Sequence, residues 1–247
     1  MKVDKFRTVI IYIIIILLGL VCLLPLLNIV AISFSSSAAV EGNMVGLIPV
    51  GFSTAAYEKI LEDSQFWHSF LISVERVVLT LIINFVLIVL MAYPLSKTNA
   101  QFRGRNIYAN LMIFAMLFNG GMIPTFLLVK SYGLLNTVWA LVLPGAVPIF
   151  NVILVMNFFA AVPKELEEAA FIDGANPLQV LTKIFIPISK PVLATVSLFS
   201  IVGSWNDFYS GLIYMSKAAY YPLMTYIQSL QINVEDLIKQ GNLSAVV

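Results

Sequence analysis

Apolar positions in this chain come in long runs, so the short polar stretches between them mark its organisation. No charged residue occurs from Thr8 to Val40. Within that stretch, about Val9 to Ile32 is long enough to span a bilayer, whose hydrocarbon core takes roughly 20 apolar residues. Pro25 lies inside it and is expected to bend the helix rather than end it, because membrane helices tolerate proline when neighbours satisfy the freed carbonyl. Residues 33–37 close the run. From there to about Trp67 the pattern is mixed: Glu41, Gly42, Pro49 and Gly51 predict turns, and Ser53 or Thr54 caps a short amphipathic helix through Tyr57, Ile60 and Leu61.

The second run extends from about Arg76 to Leu95, with Lys97, Arg103 and Arg105 just beyond. The third covers about Ile107 to Val129 and ends at Lys130. Residues 131–163 are again free of charge. A turn through Gly133 and Asn136 leaves a fourth run of about Val138 to Ala161, where Pro144 and Pro148 each remove a helical hydrogen bond and predict a kink. Ser189, before Lys190 and Pro191, opens a fifth run that reaches about Tyr214. The pattern predicts an all-α protein with five membrane spans.

Glu168 to Pro191 is the longest polar interruption between apolar halves, and it carries its own helix signals. Pro163 suits the first turn of a helix through Lys164, Glu165, Leu166, Glu167 and Glu168, with acidic residues at the positive helix end. Gly174 supplies a permissive turn. Asn176 and Pro177 read as the N-cap and first-turn proline of a second helix. Leu178, Leu181, Ile184 and Phe185 give that helix one apolar face, and Pro187 and Pro191 are expected to close it. The predicted object is a short helix–turn–helix held between spans.

Composition settles the class. With 60% hydrophobic and 11% charged residues, the chain falls far below the roughly 25–35% charge that a water-facing surface needs. It reads as an integral membrane protein. A net charge of +1 argues for neither nucleic acid nor an acidic substrate. The single cysteine, Cys22, excludes an internal disulfide framework, and in its apolar run it reads as a small hydrophobe. Lys2, Lys5 and Arg7 before an apolar run imitate a signal peptide, but the run is too long and lacks a tight small-residue cleavage pattern, so it reads as a retained first span.

Basic residues predict the orientation. With the N-terminus in the cytoplasm, cytoplasmic segments hold Lys2, Lys5, Arg7, Lys97, Arg103, Arg105, Lys164, Lys183 and Lys190. Outer segments hold Lys59, Lys130, Lys217 and Lys239, with Arg76 at a span edge. The cytoplasmic excess follows the rule for Lys and Arg and puts the polar elbow inside the cell.

The elbow also carries a resemblance. Glu168-Ala169-Ala170, Gly174, Ile184 and Ile186-Pro187 stand in the register of the EAA loop of bacterial ABC-importer permeases, with Ile186 where leucine is usual. Gly133-Leu134-Leu135-Asn136-Thr137, Trp139-Ala140, Phe158-Phe159 and Trp205-Asn206-Asp207-Phe208 resemble the carbohydrate, maltose-transporter type. Residues 119–125 resemble the branch handling oligosaccharide or polysaccharide breakdown products. The likeness implies a type I importer permease fold in the bacterial cytoplasmic membrane. It also implies a second permease subunit, an ABC ATPase dimer, an extracytoplasmic solute-binding protein and a sugar substrate. It makes Glu168, Ala169, Ala170, Asp173, Gly174, Ile184 and Pro187 the ATPase-coupling residues, with Glu168 and Asp173 making polar contacts to the ATPase.

The expected division is a cytoplasmic N-terminus over 1–8, a permease domain over 9–215 with its EAA loop at 163–191, and an extracytoplasmic tail over 216–247. Five spans leave that tail outside, and it contains no sixth apolar run. Permeases of this type return through a last helix, so the expectation is either a sequence ending short of that helix, which is favoured, or an unusual five-span variant.

Trp205, Asn206 and Asp207 fall on the outer half of the fifth span. A charged side chain at a span centre costs about 2.5–3.5 kcal/mol on insertion scales and so faces a cavity, a partner or the interface. Asp207 fits an interface marker beside Tyr209 and Tyr214 as well as it fits a translocation path, where Trp205 and Asn206 would offer a sugar an aromatic face and a hydrogen-bonding tip. Glu75 and Arg76 are helix neighbours that do not face one another, and read as the outer edge of the second span.

His68 is the only histidine, so no metal site is expected, and no catalytic constellation or cofactor motif is present. Without a glycine-rich phosphate loop the chain has no such route to ATP hydrolysis and must borrow an ATPase. The rival readings are a gradient-driven secondary transporter or channel working alone, and a membrane-embedded enzyme. No internal repeat supports the former.

Overall fold

The computed structural model describes residues 5–118 and 120–239, and every regular element among them is helical. The chain divides into two units, 1–67 and 68–247.

In the first unit α1 (Lys5–Ser33) runs unbroken past Pro25. From Val9 to Val30 its large apolar side chains are all exposed. A helix apolar on every side and uncovered along its length is suited to lipid as its solvent. Its far end is tied down locally. Asn28 Nδ2 donates to the carbonyls of Val45 and Gly46 (3.3 and 2.6 Å). Phe34 stacks between Phe52 and Tyr57. After α2 (Ser37–Glu41), the predicted amphipathic helix appears as α3 (Ala55–Glu62), with Thr54 at its N-cap and Thr54 Oγ1 donating to Glu58 at 2.7 Å.

The next helix corrects an expected boundary. α4 spans Ser64–Leu95 rather than starting at Arg76. Asp63 Oδ1 accepts from the backbone N–H of Gln65 (2.9 Å) and so starts the helix ahead of the polar residues that suggested an edge. Arg76 therefore lies well inside a helix.

The third and fourth runs are broken. α5 (Arg105–Leu117) and α6 (Met122–Ser131) meet at 110°, where one helix was expected. The fourth consists of α7 (Val138–Val142), a 3₁₀ turn at Leu143–Gly145 and α8 (Ile149–Ala160), bent by 47°. That bend falls at Pro144 and Pro148, as their missing N–H groups require. α4 and the Thr8–Ser33 part of α1 are each long and apolar enough to cross a membrane, and counting each bent pair as one gives up to five spans.

Beyond the elbow, α12 (Lys190–Asn206) stops at Asp207, and the rest of the predicted fifth run forms the separate α13 (Tyr209–Tyr214). α14 (Leu223–Lys239) follows, where the sequence showed no sixth apolar run. One apolar core joins α4 (Ile88, Val89, Ala92), α8 (Val152, Val155, Phe159), the elbow (Val180, Leu181, Phe185) and α12 (Val192, Leu193, Val196). This core anchors the elbow to three helices.

Candidate functional site

The elbow is built almost entirely from local interactions. Pro163 is the N-cap of α9 (Lys164–Ile172), with Glu165 and Glu167 in the first turn, where the helix dipole favours them. Gly174 ends the helix with φ +83°. Its N–H donates to Phe171 O (3.1 Å) and that of Ala175 to Ala170 O (2.9 Å), the paired closure of a Schellman motif. Asn176 then caps α10 (Pro177–Val180). Its Oδ1 accepts from Gln179 N while Gln179 Oε1 accepts from Asn176 N, both at 2.9 Å. Two capped helices joined through Gly174 and Ala175 leave the turn little freedom.

Past this point the expected ending fails. The helix continues through a π turn, Leu181–Phe185, into α11 (Ile186–Ile188), so Pro187 lies within the helix and Pro191 in the first turn of α12. Proline lacks the N–H that would close on the carbonyl four residues earlier, and the widened turn directly precedes Pro187. The chain then turns by 84° into α12. Of the predicted apolar face, Leu181 and Phe185 are buried and Ile184 is partly covered, whereas Leu178 is 62% exposed; Val180 is buried instead.

Glu165, Glu168, Ala169 and Ile172 share the outward face of α9, and all are exposed. Ile172, at 85% exposure, is uncovered to a degree unusual for so large an apolar side chain. Asp173, Gly174 and Pro187 are exposed as well, while Ala170 packs against the core. Glu167, one residue before the motif, points inward and is buried. Its carboxylate accepts from Lys97 Nζ at 2.7 Å, and both side chains are nearly covered. The ammonium also stands 4.1 and 4.2 Å from the ring centroids of Tyr93 and Phe185. Burial pushes the Lys97 pKa down, and the Glu167 carboxylate works against that shift. Sequence reading used Lys97 only as an orientation signal and Glu167 only as a dipole partner, since nothing local links positions 70 residues apart.

A second polar site lies among α4, the broken fourth run and α12. It is a cavity of about 290 Å³ lined by Arg76, Thr80 and Asn84 of α4, Pro144 and Asn151 at the break, and Ser200, Ser204 and Asp207. Arg76 is 4% exposed, which overturns its reading as a span edge. Its guanidinium donates to the Asp207 backbone carbonyl (2.9 Å) and pairs with Asp207 Oδ2 (2.5 Å). A cation at the C-terminal end of a helix complements the dipole, so Arg76 both neutralises Asp207 and closes α12. The other carboxylate oxygen accepts from Ser210 N (3.1 Å) and starts α13. Thr80 Oγ1, Asn84 Oδ1 and Arg76 Nε are buried without a hydrogen-bond partner.

The three predicted path residues have different surroundings. Asp207 lines the cavity; Trp205 packs edge-on against Phe70 with centroids 6.0 Å apart; Asn206 is exposed and donates to Val202 O at 2.9 Å. His68 is exposed at the start of α4. Among the described residues no three His, Cys, Asp or Glu side chains cluster as a metal site would require.

Comparison with known proteins places this architecture. Over 214 residues the chain is 42% identical to protein LplC of Bacillus subtilis (strain 168), an overlap of 87% of this chain and 72% of that one. Over 241 residues it is 39% identical to the polygalacturonan/rhamnogalacturonan transport system permease protein YtcP of the same strain, covering 98% and 83% of the two chains. A solved bacterial ABC transporter involved in the import of the acidic polysaccharide alginate contains a chain that matches with a TM-score of 0.83 at 34% identity, over 93% of this chain and 81% of that one. Residues 2–245 match the family described as binding-protein-dependent transport system inner membrane component. The chain belongs to that family: it is a membrane-embedded permease subunit of an ABC importer, not itself an enzyme, and membership sets aside the gradient-driven alternative.

Proposed function

We propose that this subunit forms half of the path of an ATP-driven importer of oligosaccharides derived from polysaccharides, uronate-containing ones foremost, with a second permease as the other half. An extracytoplasmic solute-binding protein delivers the sugar, and a separate ATPase dimer drives the cycle from the cytoplasm, on the side of the N-terminus and the elbow. The observation that carries this reading is α9. Its exposed outward face combines small, acidic and apolar side chains, while its other face is clamped to the core. Such a helix suits a cleft in a partner, and a partner that closes on it moves the attached spans with it. The sugar class is supported by the relatives' substrates, polygalacturonan and rhamnogalacturonan in one case and alginate in the other.

The test is reconstitution of the complete complex into proteoliposomes, followed by ATP-dependent uptake of trigalacturonate, an alginate trimer and maltotriose. Uptake of a uronate trimer that requires both ATP and the solute-binding protein is expected. Glu168→Lys should lower it by about tenfold or more, which corresponds to roughly 1.4 kcal/mol of coupling. Unchanged uptake in Glu168→Lys and Gly174→Asp at equal expression would overturn the role of α9. Uptake of maltotriose alone would overturn the sugar class.

A further inference from the structure

Two short connections join α9 to the rest of the chain. Before it lie Ala161 to Pro163, where α8 has ended; after it lies the locally capped turn at Gly174, whose φ is +83°. A helix held only at such ends would rotate when pushed. On its inner face Ala170 packs against the core, and Glu167 adds a charged contact. Glu167 reaches Lys97, which follows the last turn of α4, and the pair is nearly covered, at 12% exposure for Lys97 and 11% for Glu167.

The surroundings of Lys97 show a built joint rather than a surface ion pair. Its ammonium sits against two aromatic rings from different elements, Tyr93 of α4 and Phe185 of the π turn. Those rings pack edge to face with each other at 5.1 Å, and Phe185 does the same with Phe159 of α8 at 5.4 Å. A cation over a ring face is attracted by the ring quadrupole, more strongly where water is excluded. A covered ion pair also resists screening by salt. One lysine thus touches α4, α9 and the π turn together, and through Phe185 the contact extends to α8.

We propose that Lys97 and Glu167 form the joint that makes the coupling helix and the membrane helices move as one body, with Lys97 as a positioning residue for transport. This rests on the reading of α9 as the ATPase contact. Lys97 touches neither sugar nor nucleotide. Its role is to keep displacement of α9 from being lost as rotation about Pro163 and Gly174.

The experiment uses the complete transporter in nanodiscs, in a Cys22→Ser background, with spin labels at Ile172→Cys on the outward face of α9 and at Val78→Cys on the exposed face of α4. Distances are measured by pulsed electron resonance without nucleotide and after trapping with ATP and vanadate. With Lys97 intact, the distance is expected to stay the same in both states. In Lys97→Met and in the near-isosteric Glu167→Gln it should broaden and shift on trapping by about 2 Å or more, the size of helix slips in coupled proteins. Lys97→Arg, which keeps the cation, should restore most of the rigidity. A destabilised but otherwise ordinary subunit would lose yield without gaining this nucleotide-dependent shift. Trapped distances in both neutralising variants that match the parent would overturn the joint. Immobilisation of the Ile172 label in the complete transporter, relative to the permease pair prepared without its ATPase, reports docking separately. Its absence would overturn the reading of α9 itself, whatever the distances show.

Discussion

Arg76 shows what a residue can do that its neighbours in sequence cannot reveal. In a run of apolar residues a charge next to another charge reads as a boundary, because membrane burial of an unpaired ion is costly. The structure supplies the missing term. Asp207, 131 positions away, meets the guanidinium at both its carboxylate and its carbonyl. No spacing rule connects two such positions, so the pair was not legible, although Asp207 by itself was. Arg76→Met leaves a largely buried carboxylate with only Ser210 as partner and should destabilise the subunit by about 3 kcal/mol, at the low end for a broken buried pair because Asp207 retains some solvent. Thermal unfolding in detergent measures this. The double variant Arg76→Met/Asp207→Leu should recover part of the loss, since it leaves no unpaired charge. Additive destabilisation by the two changes would mean that the residues act separately.

At the scale of elements, the legible parts are those whose cause is local. Gly174, Asn176 and Pro177 identify the turn, and both helix ends form there because a positive-φ glycine and an asparagine cap need only their immediate neighbours. The π turn escaped, since proline states that a hydrogen bond is missing but not whether the helix ends or widens. The bend between α5 and α6 escaped as well: Gly120 and Gly121 stand at it, but glycines permit a change of direction without stating that one occurs. Two glycines give contrasting predictions. A Cβ at Gly174 meets nothing within 4 Å, so Gly174→Ala costs only the left-handed backbone, about 1–2 kcal/mol, and Gly174→Asn less. At Gly211, φ is not positive, but a Cβ would fall onto the side chain of Thr225, which is itself fully buried and donates to Phe208 O. Gly211→Ala must therefore push α13 from α14, an overpacking cost of about 1–3 kcal/mol, and Thr225→Ala in the same chain should relieve it. Proteolysis rates in the 216–222 connection, compared across the single and double variants, distinguish a steric cause from a conformational one.

For the whole molecule, the decisive quantity is which side of the membrane each connection occupies. The excess of basic residues and the length of the apolar runs were legible because lipid imposes them on composition directly. The polar cavity was not, since it requires three non-neighbouring helices to meet. The topology nonetheless makes a sharp prediction. Between the elbow and Ser216 the chain crosses α12, whose 17 residues rise about 25 Å at 1.5 Å each, and then α13. Ile172 and Ser216 are both exposed and should therefore face opposite compartments. Cys22 is the only cysteine, so Cys22→Ser provides a background for single cysteines at these two positions. In intact cells a membrane-impermeant maleimide should modify Ser216→Cys and leave Ile172→Cys unreacted until the membrane is opened. Binding of the ATPase to inverted vesicles should then shield Ile172→Cys, because an 85% exposed isoleucine on a helix with a clamped inner face is where a partner gains most from covering apolar surface. Labelling of Ile172→Cys from outside would remove the elbow from the reach of any cytoplasmic ATPase and reverse the assigned orientation.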